Sequence, residues 1–559
     1  MSLELANLLF PDVTQTIEDV KKQYPDRPSG HKVTRFAPSP TGFLHIGWIY
    51  TAYIAEKFVH QWGQNGVIIL RIEDTDQKRE SVGAVDLIIN WLKIFDISFN
   101  EWPLGENNSD VWNYWPYIQS QRKDLYHAFV KHAVAQWFAY PCWMSEDEIE
   151  AVRNMQQSAK KIPGIYGQYS KRREASFDAQ REMIDTGAPF VIRFKSTAQL
   201  GDKVVISDII KAPVTTQDNM IDMVLLKSTD GLPTYHMAHL VDDYLMGTTH
   251  VIRADEWFPS MPFHTQLFKN FGFAVPQYAH ISPLLKLDPE TNNKRKLSKR
   301  KDPEADIQYF FNQWIPTEAI LEFLTNIVDP FFEERQKKNI DKTYKDYEFD
   351  ISHMNPAGAL LDMTKLEFVS KEWLARLGKD EFVQKALEWA EKYYQWENDK
   401  MIGWQYLVEL MKKFPEYTFN VLNIERLTEA DPKRYRMFAD VVDQLPNFYD
   451  EVREIAHTTA ASLPEACTPE RMQPFVAEYE VKLDLTMSKE DWFAQLKEIW
   501  ASHGFATSNA DFKAGWFVGK IGDIAMFLRI KLLCSSTTPD LYESMKVMGK
   551  ERVVNRLKS

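Results

Sequence analysis

The chain has 559 residues, of which 44% are hydrophobic and 26% charged, the balance of an ordinary water-soluble globular protein with room for several domains of about 100–200 residues each. A net charge of −13 argues against a protein that coats nucleic acid indiscriminately, although basic patches on one face could still hold a shaped nucleic acid. No apolar run is long enough to cross a bilayer. The three cysteines, Cys142, Cys467 and Cys534, lack CxxC spacing, which excludes a disulfide framework and a four-cysteine zinc site.

The opening stretch Met1 to Pro11 carries an acid and no basic n-region or small-residue cleavage site, so a cytoplasmic protein is expected. Residues 1–30 have no assigned role beyond a docked amphipathic helix. From Val33 to Ala37 the text reads as a strand, 38–42 as a loop, and Leu44 through Phe58 as a helix, the opening of a nucleotide-binding fold. Gly66 to Glu73 is continuous and apolar enough for a strand inside a parallel sheet, with its acids at the C-terminal end, where such sheets bind ligands. Residues 125–220 are mixed in character and read as an insertion. The sheet pattern resumes at Met223 to Lys227 and at Thr249 to Arg253. After about Asp302 strand signals fade, and amphipathic stretches such as Glu381 to Tyr394 and Glu490 to Ser502 predict an α-rich second half.

Two motifs carry chemistry. His45-Ile46-Gly47 stands where a helix follows a strand, and helix N-termini favour anions. An imidazole N–H can donate to a phosphate there, while Gly47 lets a purine approach the backbone. Alone, three common residues read as a core histidine beside a helix-start glycine. Far downstream lies Lys294-Arg295-Lys296-Leu297-Ser298-Lys299-Arg300-Lys301, which alone reads as a solvated surface or a non-specific nucleic-acid patch. Cations on a departing pyrophosphate would lower a barrier selectively in the transition state.

Together the two motifs resemble the HIGH and KMSKS signatures of class I aminoacyl-tRNA synthetases, and Arg35 through Gly42 resembles the opening of the glutamyl branch, bacterial type. The resemblance continues through Arg71 to Asp76, Pro233 to His236, Val241 to Asp243 and His250 to Trp257, and resumes at Thr538 to Tyr542 and Met548 to Arg552. It implies a Rossmann-type α/β catalytic domain split by an α+β insertion and followed by an α-rich C-terminal half. The implied divisions are an extension over 1–30, catalytic halves over 31–124 and 221–305, an acceptor-end-binding insertion over 125–220, a stem-contact helical domain over 306–390 and a helical anticodon-binding domain over 391–559.

The implied reaction joins L-glutamate to tRNA(Glu) at the expense of ATP, carried with Mg2+, through a glutamyl-adenylate, in an enzyme expected to be a monomer. The implied catalytic set is His45, Gly47, Lys296 and Lys299. Glutamate needs a cation for each carboxylate and an anion for its ammonium. By resemblance Arg35 with Tyr235 takes the side-chain carboxylate, Arg253 the α-carboxylate, and Glu73, with Ser39 and the Ala37 backbone, the ammonium. Each charge taken singly also reads as a structural salt bridge. The implied ATP contacts are Thr41, Gly42, His45, Gly47, Glu256, Trp257, Leu285 and Lys299, and Lys160, Lys161, Lys171, Arg172 and Arg173 are the cations expected to face tRNA.

Three departures matter. Trp48 stands where the signature has its second histidine, a substitution common in the glutamyl branch. Where some relatives carry zinc-binding cysteines this chain has only Cys142, so no structural zinc is expected. His239 replaces an asparagine near the glutamate and brings either a pH-dependent charge or a core imidazole. Glutaminyl-tRNA synthetase, a relaxed enzyme that also charges tRNA(Gln), and a catalytically silent tRNA-binding paralogue stay open as alternatives. Pro38-Ser39-Pro40-Thr41-Gly42 disfavours the first, and the intact motifs disfavour the last.

Overall fold

The computed structural model describes residues 2–42, 44–103, 113–339, 342–348, 350–394, 402–426, 434–452 and 462–559. They form two compact units, one of residues 1–309 with 321–362, the other of residues 310–320 with 363–559.

The first unit opens with two short helices, α1 (Ser2–Leu9) and α2 (Ile17–Lys21). Thr16 and Asp19 close a reciprocal capping box at the start of α2. Residues 1–30 therefore dock as two helices rather than one, burying Leu5, Ala6, Ile17 and Val20 in a core shared with Phe129 and Val130. At about 1.5–3 kcal/mol per large apolar side chain this anchors the extension firmly.

Strand β1 (Lys32–Phe36) is followed by α3 (Ile46–His60), and β2 (Gly66–Leu70) pairs parallel to β1 from Lys32 opposite Gly66 to Phe36 opposite Leu70. Every residue of β2 is buried, as its unbroken apolar run predicts. Gly66 is required by the return from α3, because a Cβ there would lie 1.9 Å from the Val59 carbonyl oxygen. The strand stops at Leu70, three residues short of the run, where Ile72 turns to donate its N–H to Tyr117.

Helices α4 (Ala84–Ile94) and α5 (Lys123–Ala135) are followed by β3 (Ala139–Cys142), α6 (Glu146–Ser158), α7 (Phe177–Asp185), β4 (Val191–Phe194), β5 (Lys203–Ile206), β6 (Val214–Gln217) and β7 (Val224–Leu226). Strands β5 and β6 make an antiparallel hairpin. The segment Met223 to Lys227 does not resume the parallel sheet: β7 pairs antiparallel with β4, which pairs antiparallel with β3. A short apolar run carries no signal for its pairing partner, so β7 and a parallel core strand read alike.

Then come α8 (Tyr235–Leu245), β8 (His250–Ala254), α9 (Met261–Asn270) and β9 (Gln277–Ile281), with β8 and β9 parallel. Beside β1, Thr249 donates its backbone N–H to Val33 at 2.9 Å while its hydroxyl accepts the Val33 N–H at 2.8 Å. The two parallel pairs thus lie edge to edge, and Phe36 and Ala254 both end at the rim that carries the site. Strands β10 (Leu284–Leu287), β11 (Lys294–Lys296) and β12 (Ala359–Leu360) complete the unit as a small mixed sheet.

The second unit is helical among its described residues. Its helices include Met363–Arg376, Lys379–Tyr394, Pro469–Lys482, Lys489–Ser502 and Ile521–Leu533. In Lys489–Ser502 the buried residues are Trp492, Leu496, Ile499 and Trp500, one face at helical spacing. Trp492 also donates its indole N–H to the Tyr479 hydroxyl at 3.0 Å.

Candidate active site

At the C-terminal ends of β1 and β8 lies a cavity of about 210 Å3. That is room for an amino acid, below the ~300–1,000 Å3 of a drug-sized site. Its walls bring together Arg35, Ala37, Ser39, Glu73, Tyr235, Arg253, Glu256 and Trp257, residues expected from the sequence, with Trp48, Thr51 and Ile252, which were not. Thr51 sits one turn into α3 and donates its hydroxyl to the Gly47 carbonyl. A small polar residue one turn beyond a helix-start glycine was the available signal for it.

At and beneath the cavity wall three guanidiniums meet three carboxylates, all buried but Glu73, which is partly exposed to the cavity. Arg71 reaches Asp243 at 2.7 Å and Glu73 at 3.2 Å, Arg35 reaches Asp243 at 3.2 Å, and Arg122 reaches Asp242 at 2.7 Å. Gln119 and Tyr126 also donate to Asp242. Burial pushes the Glu73 carboxyl up, against the pull of Arg71 and Arg35. Asp243 is held well below the usual carboxylate range: burial acts to raise it and is outweighed by Arg35, Arg71 and His239.

Arg253 is held differently. Its Nη1 donates to the Tyr235 hydroxyl at 2.9 Å, its Nε to His280 Nε2 at 3.0 Å and its Nη2 to His264 Nδ1 at 3.1 Å. Tyr235, expected beside Arg35, is bonded to Arg253 and stacks on Trp257 with ring centroids 3.9 Å apart.

The two sequence motifs converge. His45 caps α3, and its Nδ1 accepts the Gly47 N–H at 2.9 Å. The remaining ring nitrogen, Nε2, then carries the proton and can donate. Burial, with Lys299 and Lys296 next, lowers His45 to about 4, so it is neutral near pH 7. Gly47 has a second purpose, since a Cβ there would press on the same imidazole Nδ1 at 2.9 Å. Lys299 is exposed, with its ammonium 5.6 Å from the Trp48 ring centroid, and Lys296 pairs with Glu256 at 3.0 Å. Trp48 thus gives the loop lysine an aromatic surface. Arg295 is not part of a free cationic loop, because Asp302 takes it in a two-pronged pair at 2.6 and 2.7 Å.

Thr41 and Gly42 lie in the loop before α3, Gly42 at φ +88°. Leu285 is in β10 opposite Lys296, away from the cavity wall. His239 is also off the wall: it is fully buried in α8, its Nδ1 2.7 Å from Asp243 and its Nε2 2.9 Å from the Tyr278 hydroxyl. Burial, against Asp243, lowers it to about 3, so it supplies no charge near neutrality, and the pH-dependent reading of the sequence gives way to a packed imidazole. Accordingly, His239→Asn leaves the pH profile of KM for glutamate unchanged between about pH 6 and 8, where an ordinary histidine titrates. A step near pH 6.5 seen in the parent chain and lost in the variant would contradict this.

Among the cations expected to face tRNA, Arg173 is internal: it bonds Asp222 at 2.8 Å and the Ser196 carbonyl. Lys171 pairs with Glu148 and Lys161 donates to the Tyr169 hydroxyl, while Lys160 and Arg172 stand exposed at positive φ. A basic run does not reveal which of its members has a buried carboxylate. Cys142 is buried in β3, and Ser170, at the other expected cysteine-bearing segment, bonds the Tyr140 hydroxyl.

The class follows from this arrangement and from comparison with known proteins. Residues 32–368 match the tRNA synthetases class I (E and Q) catalytic domain, and residues 381–559 match the anticodon binding domain. Among relatives, the glutamate–tRNA ligase of Clostridium perfringens is 39% identical over 563 residues, covering 100% of this chain and 99% of its own, and that of Sorangium cellulosum is 38% identical over 581 residues, covering 98% and 99%. A crystal structure of a glutamate tRNA ligase from Elizabethkingia meningosepticum, in complex with its amino acid, superposes with a TM-score of 0.71 at 25% identity over 94% of this chain and 98% of that one. The chain belongs to the glutamate–tRNA ligase family of class I synthetases, with a class I catalytic domain and a helical C-terminal half.

Proposed function

We propose that the chain joins L-glutamate to tRNA(Glu) in two steps, with Arg253 and Arg35 as the cations for the substrate carboxylates and Glu73 as the anion for its ammonium. The observation that carries this is the cavity itself: the guanidiniums of Arg35 and Arg253 and the carboxylate of Glu73 border a space the size of an amino acid, while Glu256, the other carboxylate of the wall, is paired with Lys296. Two cations and one anion match the two carboxylates and the ammonium of glutamate group for group.

The substrate α-carboxylate attacks the α-phosphorus of ATP, giving glutamyl-adenylate and pyrophosphate, and the terminal tRNA ribose hydroxyl then attacks the activated carbonyl. No covalent enzyme intermediate forms. His45 Nε2–H and Lys299 stabilise charge growing on the phosphates, and Lys296, drawn toward Glu256, closes the same loop over them. Thr41, Gly42, Glu256 and Trp257 border the nucleotide. Mg2+ enters with ATP and neutralises its phosphates.

The parallel strands β1, β2, β8 and β9 form the nucleotide fold, split by an insertion over 125–220 to which β7 also belongs by its pairing. The insertion takes the acceptor end of tRNA, with Lys160 and Arg172 as its outward cations, and residues 391–559 take the anticodon.

Removing one cation tests the reading. Arg253→Gln raises KM for glutamate by about a hundredfold, the loss of a charged hydrogen-bonded pair, and moves KM for ATP less than about threefold. Steady-state charging kinetics read both. An unchanged glutamate KM would contradict the assignment.

A further inference from the structure

We infer that Asp208 and His280 are positioning residues for the reaction, a carboxylate–imidazole pair behind the pocket that fixes the orientation of Arg253 while leaving its charge for the substrate. The inference rests on the reading of Arg253 as a carboxylate-binding cation. Asp208 lies just past β5, in the inserted region, and His280 lies in β9; both side chains are fully buried.

Arg253 Nε always carries a proton, so at 3.0 Å it makes His280 Nε2 an acceptor. The imidazole proton must then sit on Nδ1, which lies 2.6 Å from Asp208 Oδ2. Asp208 is itself fixed by backbone N–H groups, from Ile210 at 2.9 Å and Lys211 at 3.0 Å to one oxygen and from His280 at 3.1 Å to the other. A carboxylate held on one side by backbone donors and facing Nδ1 on the other selects a single tautomer.

The contrast with Arg35 shows what this achieves. Arg35 touches the carboxylate of Asp243 directly, and part of its field is cancelled. Arg253 touches neutral imidazoles on two edges and a phenol on the third, with the balancing carboxylate one ring further away. Its guanidinium is oriented as firmly as in an ion pair, and its charge stays available to a ligand carboxylate.

In Asp208→Asn the amide oxygen can keep the bonds from the Ile210 and Lys211 N–H groups, which gives up the bond from the His280 backbone N–H and turns the NH2 toward His280 Nδ1. Nδ1 must then accept, the proton moves to Nε2, and N–H faces N–H across the Arg253 contact. Charging assays with the full-length chain and tRNA are expected to show KM for glutamate raised about tenfold, one charge-assisted hydrogen bond, with KM for ATP within about twofold. His280→Gln, which can still present an acceptor to Arg253, stays within about threefold of the parent chain, whereas His280→Phe matches Asp208→Asn. Equal rises in both KM values, or a glutamine variant as impaired as the phenylalanine one, would overturn the proposal.

Two controls separate the possible failures. If Arg253→Gln leaves the glutamate KM unchanged, the reading of Arg253 falls; if that variant is impaired and Asp208→Asn is not, only the positioning pair falls. Nitrogen-15 NMR of the histidines in the unaltered protein needs no variant to fold. A protonated Nδ1 on His280 is expected, and the opposite tautomer would overturn the proposal.

Discussion

Asp243→Ala costs the catalytic unit about 3–5 kcal/mol of stability, because it strands buried positive charge rather than merely removing a bond. Asp243 is the shared anion of Arg35 and Arg71, whose guanidiniums are almost fully buried, and it also lies against His239. Without it, among the described residues, Arg71 keeps Glu73 at 3.2 Å, Asp242 at 3.7 Å and the Met246 sulfur at 4.0 Å, and Arg35 keeps the Ile252 carbonyl at 3.3 Å. The partners left behind would draw on Glu73, the anion proposed for the substrate ammonium, so glutamate binding is expected to weaken with the fold. Denaturant unfolding of the full chain, followed by a probe in the catalytic unit, reads the loss. A change below about 1 kcal/mol would place the pair among the ion networks that contribute little net stability.

Lys299→Ala slows glutamate-dependent pyrophosphate exchange by about 10²–10³-fold, with KM for glutamate little changed. The asymmetry follows from position: the ammonium stands over Trp48, in the neighbourhood of His45, and outside the ring of charges proposed to receive the amino acid. A cation that meets the departing pyrophosphate acts mainly on the transition state. Exchange at the parent rate would remove Lys299 from the mechanism. A glutamate KM that rose in step with the loss of rate would instead make Lys299 part of the amino-acid pocket.

The residues that the sequence made legible are those whose chemistry is announced in short motifs. His45 and Gly47 at a helix start and a dense lysine run, each bland alone, mark a site once they are taken together, and the acids at the end of an apolar strand add to them. Arg35, Glu73, Tyr235 and Arg253 required the family resemblance, and the structure gathers all four around one cavity. The resemblance did not carry pairings. Tyr235 bonds Arg253 rather than standing with Arg35, because α8 delivers it beside β8.

What stayed hidden depends on contacts between distant positions. Asp243 is 208 residues from Arg35 and Asp208 is 72 from His280, and neither acid differs in local text from a surface carboxylate. Arg173 and Arg295 look like their basic neighbours until Asp222 and Asp302 are seen against them. His239 looked poised to titrate because the sequence shows its neighbourhood and not its burial. The segment from Met223 to Lys227 was legible as a strand, while its antiparallel partner β4 lies some thirty residues earlier and leaves no mark on it.

The central claim, glutamate as the amino acid and tRNA(Glu) as its acceptor, is tested most directly by charging assays with labelled glutamate or glutamine against purified tRNA(Glu) and tRNA(Gln). Glutamate appearing on tRNA(Glu), with no glutamine on either tRNA, is the predicted result; glutamine attached to tRNA(Gln) would contradict it.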